Sequence, residues 1–158
     1  MKLIENPWNG ISGYNCFACS PDNPIGLHLT FAEEDDYVVS CWTPDQNFQG
    51  WLNTLHGGII CTLMDELAGW VVTHKLHTRG VTSQLNTKFK QRVDTTGGAL
   101  KIRARLRETK RNLAFIDCEV LASDGTVCAT AEAVYFTYPR EVANTKFFLR
   151  TPDEANGK

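Results

Sequence analysis

The sequence contains no uninterrupted apolar run of about 18 residues, so no membrane-spanning helix is predicted. It carries no excess of one charge. Sixteen Lys and Arg against 18 Asp and Glu give a formal net charge of −2, which offers nothing global to nucleic acid or an anionic membrane. The start, MKLIENPWNG, has one lysine followed by Glu5, Asn6 and Pro7 where a signal peptide would have an apolar core. A reducing, cytoplasmic setting is therefore predicted. No repeat or low-complexity segment is visible. At 158 residues, 42% hydrophobic and 22% charged, the chain is long and apolar enough for one domain with its own core.

Cysteine is not scarce, but in a reducing compartment six cysteines read as thiols rather than bridges. Cys41, Cys61, Cys118 and Cys128 lie in apolar or alternating runs, where Cys packs as a small hydrophobe. Cys16 and Cys19 form an isolated C-x-x-C. Zinc wants four ligands, no second pair follows at a suitable spacing, and only His28 is near, so no metal site is predicted. A redox pair would need a helix start in a βαβ setting, which Pro21, Asn23 and Pro24 oppose. Packing or loop-shaping is the expected role.

The order of elements is legible from periodicity. Residues 1–24 are rich in Gly, Asn and Pro and read as an irregular lead-in. IGLHLTF and YVVSCWT alternate as strands around a polar turn, AEEDD. PDQNFQGWLNT is a loop of the length that carries function. One long helix is predicted from Gly57 to Leu76. Four more strands follow, near Val81–Val93, Leu100–Glu108, Ala114–Ala122 and Thr126–Tyr138, separated by turn-formers. The domain so defined covers 25–140, and 141–158 form a polar tail around one apolar patch, KFFL. This is an α+β pattern: a mainly antiparallel sheet of six strands wrapped around one helix.

The helix carries an unusual polar stripe. Gly58, Thr62, Asp65, Glu66, Gly69 and Thr73 fall within about 100° of one another, and the other sides are apolar. No cation occurs between Gly57 and His74, so Asp65 and Glu66 have no local partner. At the other end, Gly57 and Gly58 expose helix N–H groups where the dipole is positive, a place suited to an oxyanion. Gly58 and Asp65 are about 10 Å apart along the axis. One chain cannot place Asp65 on a carbonyl docked at its own glycines, whereas two antiparallel helices across a two-fold axis can. The competing reading is a tight entrance turn with two solvated acids.

FQGWLNTLHGGIICTLMDE resembles the hotdog-fold acyl-CoA thioesterases of the phenylacetate-pathway (PaaI-type) superfamily: a loop, His-Gly-Gly, six residues, Asp. CFACSPDNPIGLHLTF is similar to a subgroup's first strand and GVTSQLNTKF to its third. The resemblance implies thioester hydrolysis. Gly57 would polarise the carbonyl, with Gly58 beside it. The partner chain's Asp65 would be base or nucleophile, and His56 would hold the thioester end. A hydroxyl after the helix would orient water. Matching GVTSQLN puts that role on Thr82, whereas side-chain alternation puts it on Ser83, and both stay open. Asn53 or Gln49 would contact substrate, and Glu66 would support the interface. Acyl-CoA is the implied substrate, with coenzyme A as part of it and no separate cofactor, in a homodimer or homotetramer. Rival readings are a hydroxyacyl-thioester dehydratase and a non-catalytic acyl-CoA-binding module.

Two basic stripes remain. Lys101, Arg103, Arg105 and Arg107 share one strand face, and Asp117 and Glu119 are placed to pair with them. Lys88, Lys90 and Arg92 have no such acidic partners in the local pattern and are the candidates for coenzyme phosphates. Trp42, Phe48, Trp51 and Trp70 are candidate lining for an acyl pocket.

Overall fold

The computed structural model describes residues 1–146. Seven strands form one sheet: β1 (Lys2–Ile4), β2 (Phe31–Glu34), β3 (Tyr37–Trp42), β4 (Gly80–Phe89), β5 (Leu100–Lys110), β6 (Leu113–Leu121) and β7 (Val127–Thr137). Their order is β1-β2-β3-β5-β6-β7-β4, and every neighbouring pair is antiparallel. Helix α1 (Gly57–Leu76) packs against β3 to β7, and a short α2 (Arg140–Lys146) follows the sheet.

The long helix forms where its sequence predicts it. An extended His56 caps its start, and a left-handed His77 (φ 53°) ends it. In the last turn Lys75 and His74 pair with Glu33 of β2. Leu63, Met64, Leu67 and Val71 are fully buried against the concave side of the sheet. There β6 alternates strictly, turning Ala114, Ile116, Cys118 and Val120 inward. Trp70 stacks on Phe31 with ring centroids 4.4 Å apart. Trp42, Phe48 and Trp70 belong to this core or pack on it, whereas Trp51 is exposed.

Four details differ from the sequence reading. The lead-in is not wholly irregular, because Lys2–Ile4 pairs with β2 and makes a seventh strand. Residues 25–30 are not a strand. Leu27, Leu29 and Phe31 are buried as the alternation requires, but the N–H groups of Leu27 and Leu29 bond to Phe17 and Ala18 carbonyls, and His28 is left-handed. The strand after the helix stops at Phe89, because Lys90 and Gln91 both donate to the Cys128 carbonyl and end the ladder. Cys41 is exposed rather than packed. Most of the KFFL patch lies outside the described residues. Among the described residues no helix is long and apolar enough to cross a membrane.

Candidate functional site

The N-terminus of α1 is set by the loop before it. Leu55 N–H bonds to the Val93 carbonyl and His56 N–H to the Phe48 carbonyl, which fixes the direction of approach. His56 Nδ1 then accepts the Gly58 N–H at 2.9 Å. An accepting nitrogen carries no proton, so the neutral ring is protonated on Nε2. A Cβ on Gly58 would lie 3.0 Å from His56 Nδ1, so the second glycine makes room for this cap. Ile59 and Ile60 N–H groups both reach the His56 carbonyl. The Gly57 N–H has no acceptor among the described residues, and the Phe89 ring lies beside it.

Asp65 lies eight residues further along the same unbroken helix, about 12 Å up the axis. Two strands hold it. The Thr82 hydroxyl of β4 donates to Asp65 Oδ1 at 2.7 Å. The Tyr135 hydroxyl of β7 lies 2.9 Å from the same Oδ1 and 2.7 Å from the Asp65 carbonyl, and shares its proton between them. Thr82 and Tyr135 are cross-strand partners. Gly69, one turn after Asp65, leaves space for the phenol. Burial and the Asp65 carboxylate push the Tyr135 hydroxyl above its ordinary range, so it remains a donor. Asp65 Oδ2 has no hydrogen-bond partner among the described residues, and Asp65 is half-exposed.

The alternation argument for Ser83 fails on a backbone irregularity. The β4–β7 register shifts between Thr82 and Gln84, so Ser83 sits on a bulge and makes no bond to Asp65. Tyr135 was not among the sequence candidates. It lies in an apolar strand, and only the pairing of β7 with β4 brings it to the helix.

Glu66 points elsewhere, into a half-buried cluster from the lead-in. Its Oε1 accepts the Trp70 indole N–H at 3.1 Å and faces the Cys16 thiol at 3.6 Å. Burial, reinforced by Cys16, pushes its carboxyl up to about 7. Cys16 and Cys19 sulfurs are 3.2 Å apart, and the Tyr14 hydroxyl is 2.9 Å from Cys19. The Cys19 thiol, with the Cys19 and Ala18 N–H groups, holds Cys16 well below the ordinary thiol range, and the same contact raises Cys19. Cys16, Cys19, Glu66, Thr82 and Tyr135 all line one cleft of about 400 Å³. The two acids' surroundings therefore share a wall.

The remaining candidates divide. Gln49, Asn53 and Arg92 come together beside the helix start. Gln49 Oε1 accepts the Asn53 N–H at 3.0 Å, and Arg92 donates to the Asn53 carbonyl at 3.1 Å and Thr54 Oγ1 at 2.7 Å. Lys88 is not brought to this end: with Asn86 and Arg105 it lines a separate hollow of about 410 Å³ on the outer face of the sheet. Lys90 is exposed just past β4. The other basic stripe is tied up: Arg103 pairs with Glu119 and Arg107 with Asp117, as the pattern predicts, while Lys101 pairs with Glu34 and Arg107 also with Glu132, which it did not indicate.

The site thus presents an unengaged helix N-terminal N–H and, further along the same helix, a positioned carboxylate with one unengaged oxygen. The family model described as "Thioesterase superfamily" matches residues 52–129. A search of curated proteins found no match. Among solved structures, a thioesterase superfamily protein aligns with a TM-score of 0.69 at 21% identity, covering 75% of this chain; this chain spans 58% of that one. A Streptococcus mutans UA159 protein bound to acetyl CoA aligns at 0.67 with 19% identity, over 84% of this chain and 98% of that one. A hypothetical thioesterase with coenzyme A from Streptococcus pneumoniae TIGR4 aligns at 0.64 with 22% identity, over 71% and 90%. With a sheet wound about a single long helix, as in these neighbours, the chain has the hotdog fold, and residues 52–129 match the model of the Thioesterase superfamily.

Proposed function

We propose that the protein is an acyl-CoA thioesterase that works as a homodimer with sites shared between chains. One observation carries this reading: Asp65 has one oxygen pinned by Thr82 and Tyr135 and the other unengaged, on the helix whose Gly57 N–H is also unengaged. The two groups lie about 12 Å apart in one chain, too far to meet on one carbonyl. A second copy with its helix antiparallel brings the partner's Asp65 to Gly57. Strand β4 suits such pairing, because it ends the sheet and exposes Val81 and Phe89. Trp51 and Leu52 add exposed apolar surface in the loop before the helix.

In this mechanism the thioester carbonyl docks on the Gly57 N–H, which strengthens as the oxygen becomes an oxyanion. Asp65 Oδ2 takes a proton from water, and the hydroxide adds to the carbonyl carbon. Collapse breaks the carbon–sulfur bond, and the proton on Asp65 passes to the departing thiolate. The products are the free acid and coenzyme A. Direct attack by Oδ2, through an acyl-aspartate that water then hydrolyses, uses the same geometry. Thr82 and Tyr135 orient the carboxylate. Arg92, held to the loop before the helix, and the exposed Lys90 are assigned to the coenzyme phosphates.

His56 supports hydrolysis over dehydration, since its Nδ1 is committed to the helix cap. The test is a panel of acyl-CoA substrates with a thiol-reactive dye. Release of coenzyme A that is lost in Asp65→Asn supports the reading. Binding without turnover across aromatic and aliphatic acyl groups contradicts it.

A further inference from the structure

We infer that Cys16, Cys19 and Glu66 form a site for a thiolate-preferring divalent cation of the zinc class, open to the cleft at its fourth position. The three donor atoms lie within 4.8 Å of one another. A tetrahedral zinc with Zn–S of about 2.3 Å and Zn–O of about 2.1 Å needs edges of about 3.8 Å between sulfurs and about 3.6 Å between sulfur and oxygen. The Cys16–Cys19 edge is 3.2 Å, the Cys16–Glu66 edge 3.6 Å and the third edge at most 4.8 Å, so a cation fits once the sulfurs part by about 0.6 Å and Glu66 and Cys19 close by no more than about 1.2 Å. Two soft sulfurs and one carboxylate suit zinc or cobalt better than magnesium or calcium, which demand an all-oxygen shell.

The surroundings are those of a metal-binding loop. Ala18 and Cys19 N–H groups point at the Cys16 sulfur, and the Asn6 amide lies 3.8 Å from Cys19. Such N–H donors orient and stabilise thiolates around a metal. Glu66 belongs to no salt bridge among the described residues, although its carboxylate is tucked between an indole and a thiol. A cation would supply the opposite charge that α1 lacks before its last turn. The fourth position faces the cleft that Thr82 and Tyr135 also line. Three protein ligands and one open position is the arrangement that leaves room for water or a ligand atom. The sequence concealed this because the third ligand is 47 residues beyond Cys19.

The inference does not depend on thioester chemistry and is tested without substrate. The reduced, chelator-treated protein is titrated with Co²⁺ and then with Zn²⁺. One equivalent per chain is expected, with a near-ultraviolet thiolate-to-cobalt charge-transfer band that zinc abolishes. The band should vanish in the Cys16→Ser/Cys19→Ser double variant and persist in Cys41→Ser. Glu66→Gln should weaken Co²⁺ binding more than about tenfold, the low end even for loss of an outer-shell group. Where a variant does not fold, alkylation of the wild type gives the answer: zinc should protect Cys16 and Cys19 but not Cys41, as mapped by mass spectrometry. No charge-transfer band, equal protection of all three thiols, or unchanged affinity in Glu66→Gln would overturn the assignment. So would a Cys16–Cys19 disulfide in protein that binds no metal after reduction.

Discussion

Asp65 and Glu66 are neighbours on one helix, yet they face two different chemistries. Asp65 meets two hydroxyls from β4 and β7 and keeps an oxygen unengaged at a half-exposed position. Glu66, turned by about 100°, meets an indole N–H and a thiol and is covered by the lead-in. The residue type is nearly the same, so the difference lies in what each side chain is covered by. Hydroxyl donors on one oxygen orient a carboxylate and leave its other oxygen accessible. Burial beside a thiol drives a carboxyl toward its protonated form unless a cation arrives.

The largest expected effect removes the chemistry from the first acid. Asp65→Asn should lower turnover by about 10² to 10⁴, the usual worth of a positioned acid–base group, with far less effect on KM. A loss confined to KM would assign Asp65 to binding instead.

Next comes the pH response of the second acid, in protein kept free of metal by a chelator. Glu66 holds its proton to about pH 7 when folded, whereas an ordinary Glu loses it near 4.5. From pH 4.5 to 7 the folded Glu66 therefore holds a proton that the unfolded one has released, so its own contribution to stability falls as pH rises and levels off above 7. Cys16, held below the ordinary thiol range, contributes the opposite slope over part of the same range, so the quantity to read is the difference between wild type and Glu66→Gln. Relative to Glu66→Gln, the wild type should lose on the order of 3 kcal/mol across this range in denaturant midpoints. An equal slope in both would place the buried titration elsewhere.

The hydroxyls around Asp65 are worth less. Thr82→Val or Tyr135→Phe each removes a hydrogen bond to a charged group, worth about 1.5–3 kcal/mol, so kcat should fall by about 10- to 100-fold. Ser83→Ala should fall far less than Thr82→Val. The reverse ranking would restore the alternation argument over the bulge. Smallest is the helix cap: His56→Ala should cost about 1 kcal/mol of stability, read from thermal or denaturant melts.

The sequence is most informative where structure is local. The helix is legible because its apolar sides run unbroken from Gly57 to Leu76. The basic stripe on β5 is legible because alternation and opposite charge agree. Asp65 and Gly57 stand out as candidates through their spacing on one element, and His56 through the family resemblance. What stays hidden depends on backbone bonds between distant segments. Residues 25–30 keep the side-chain pattern of a strand while their N–H groups bond to Phe17 and Ala18. The three-residue β1 leaves too short a pattern to read. Thr82 and Ser83 cannot be separated without the bulge, and Tyr135 and the Cys16–Glu66 contact arise only from tertiary packing.

The central claim is that Gly57 and Asp65 act on one thioester from two chains, and subunit mixing tests it most directly. Gly57→Pro removes the donor N–H at the first helical position, where proline is tolerated, and His56 already has the extended backbone that precedes proline. Each variant alone should be nearly inactive. Equal amounts of Gly57→Pro and Asp65→Asn chains, unfolded and refolded together, should regain about a quarter of wild-type hydrolysis, because half the dimers are mixed and each holds one intact site. Activity no higher than that of the separate variants, with mixed dimers verified by mass, would contradict the shared site.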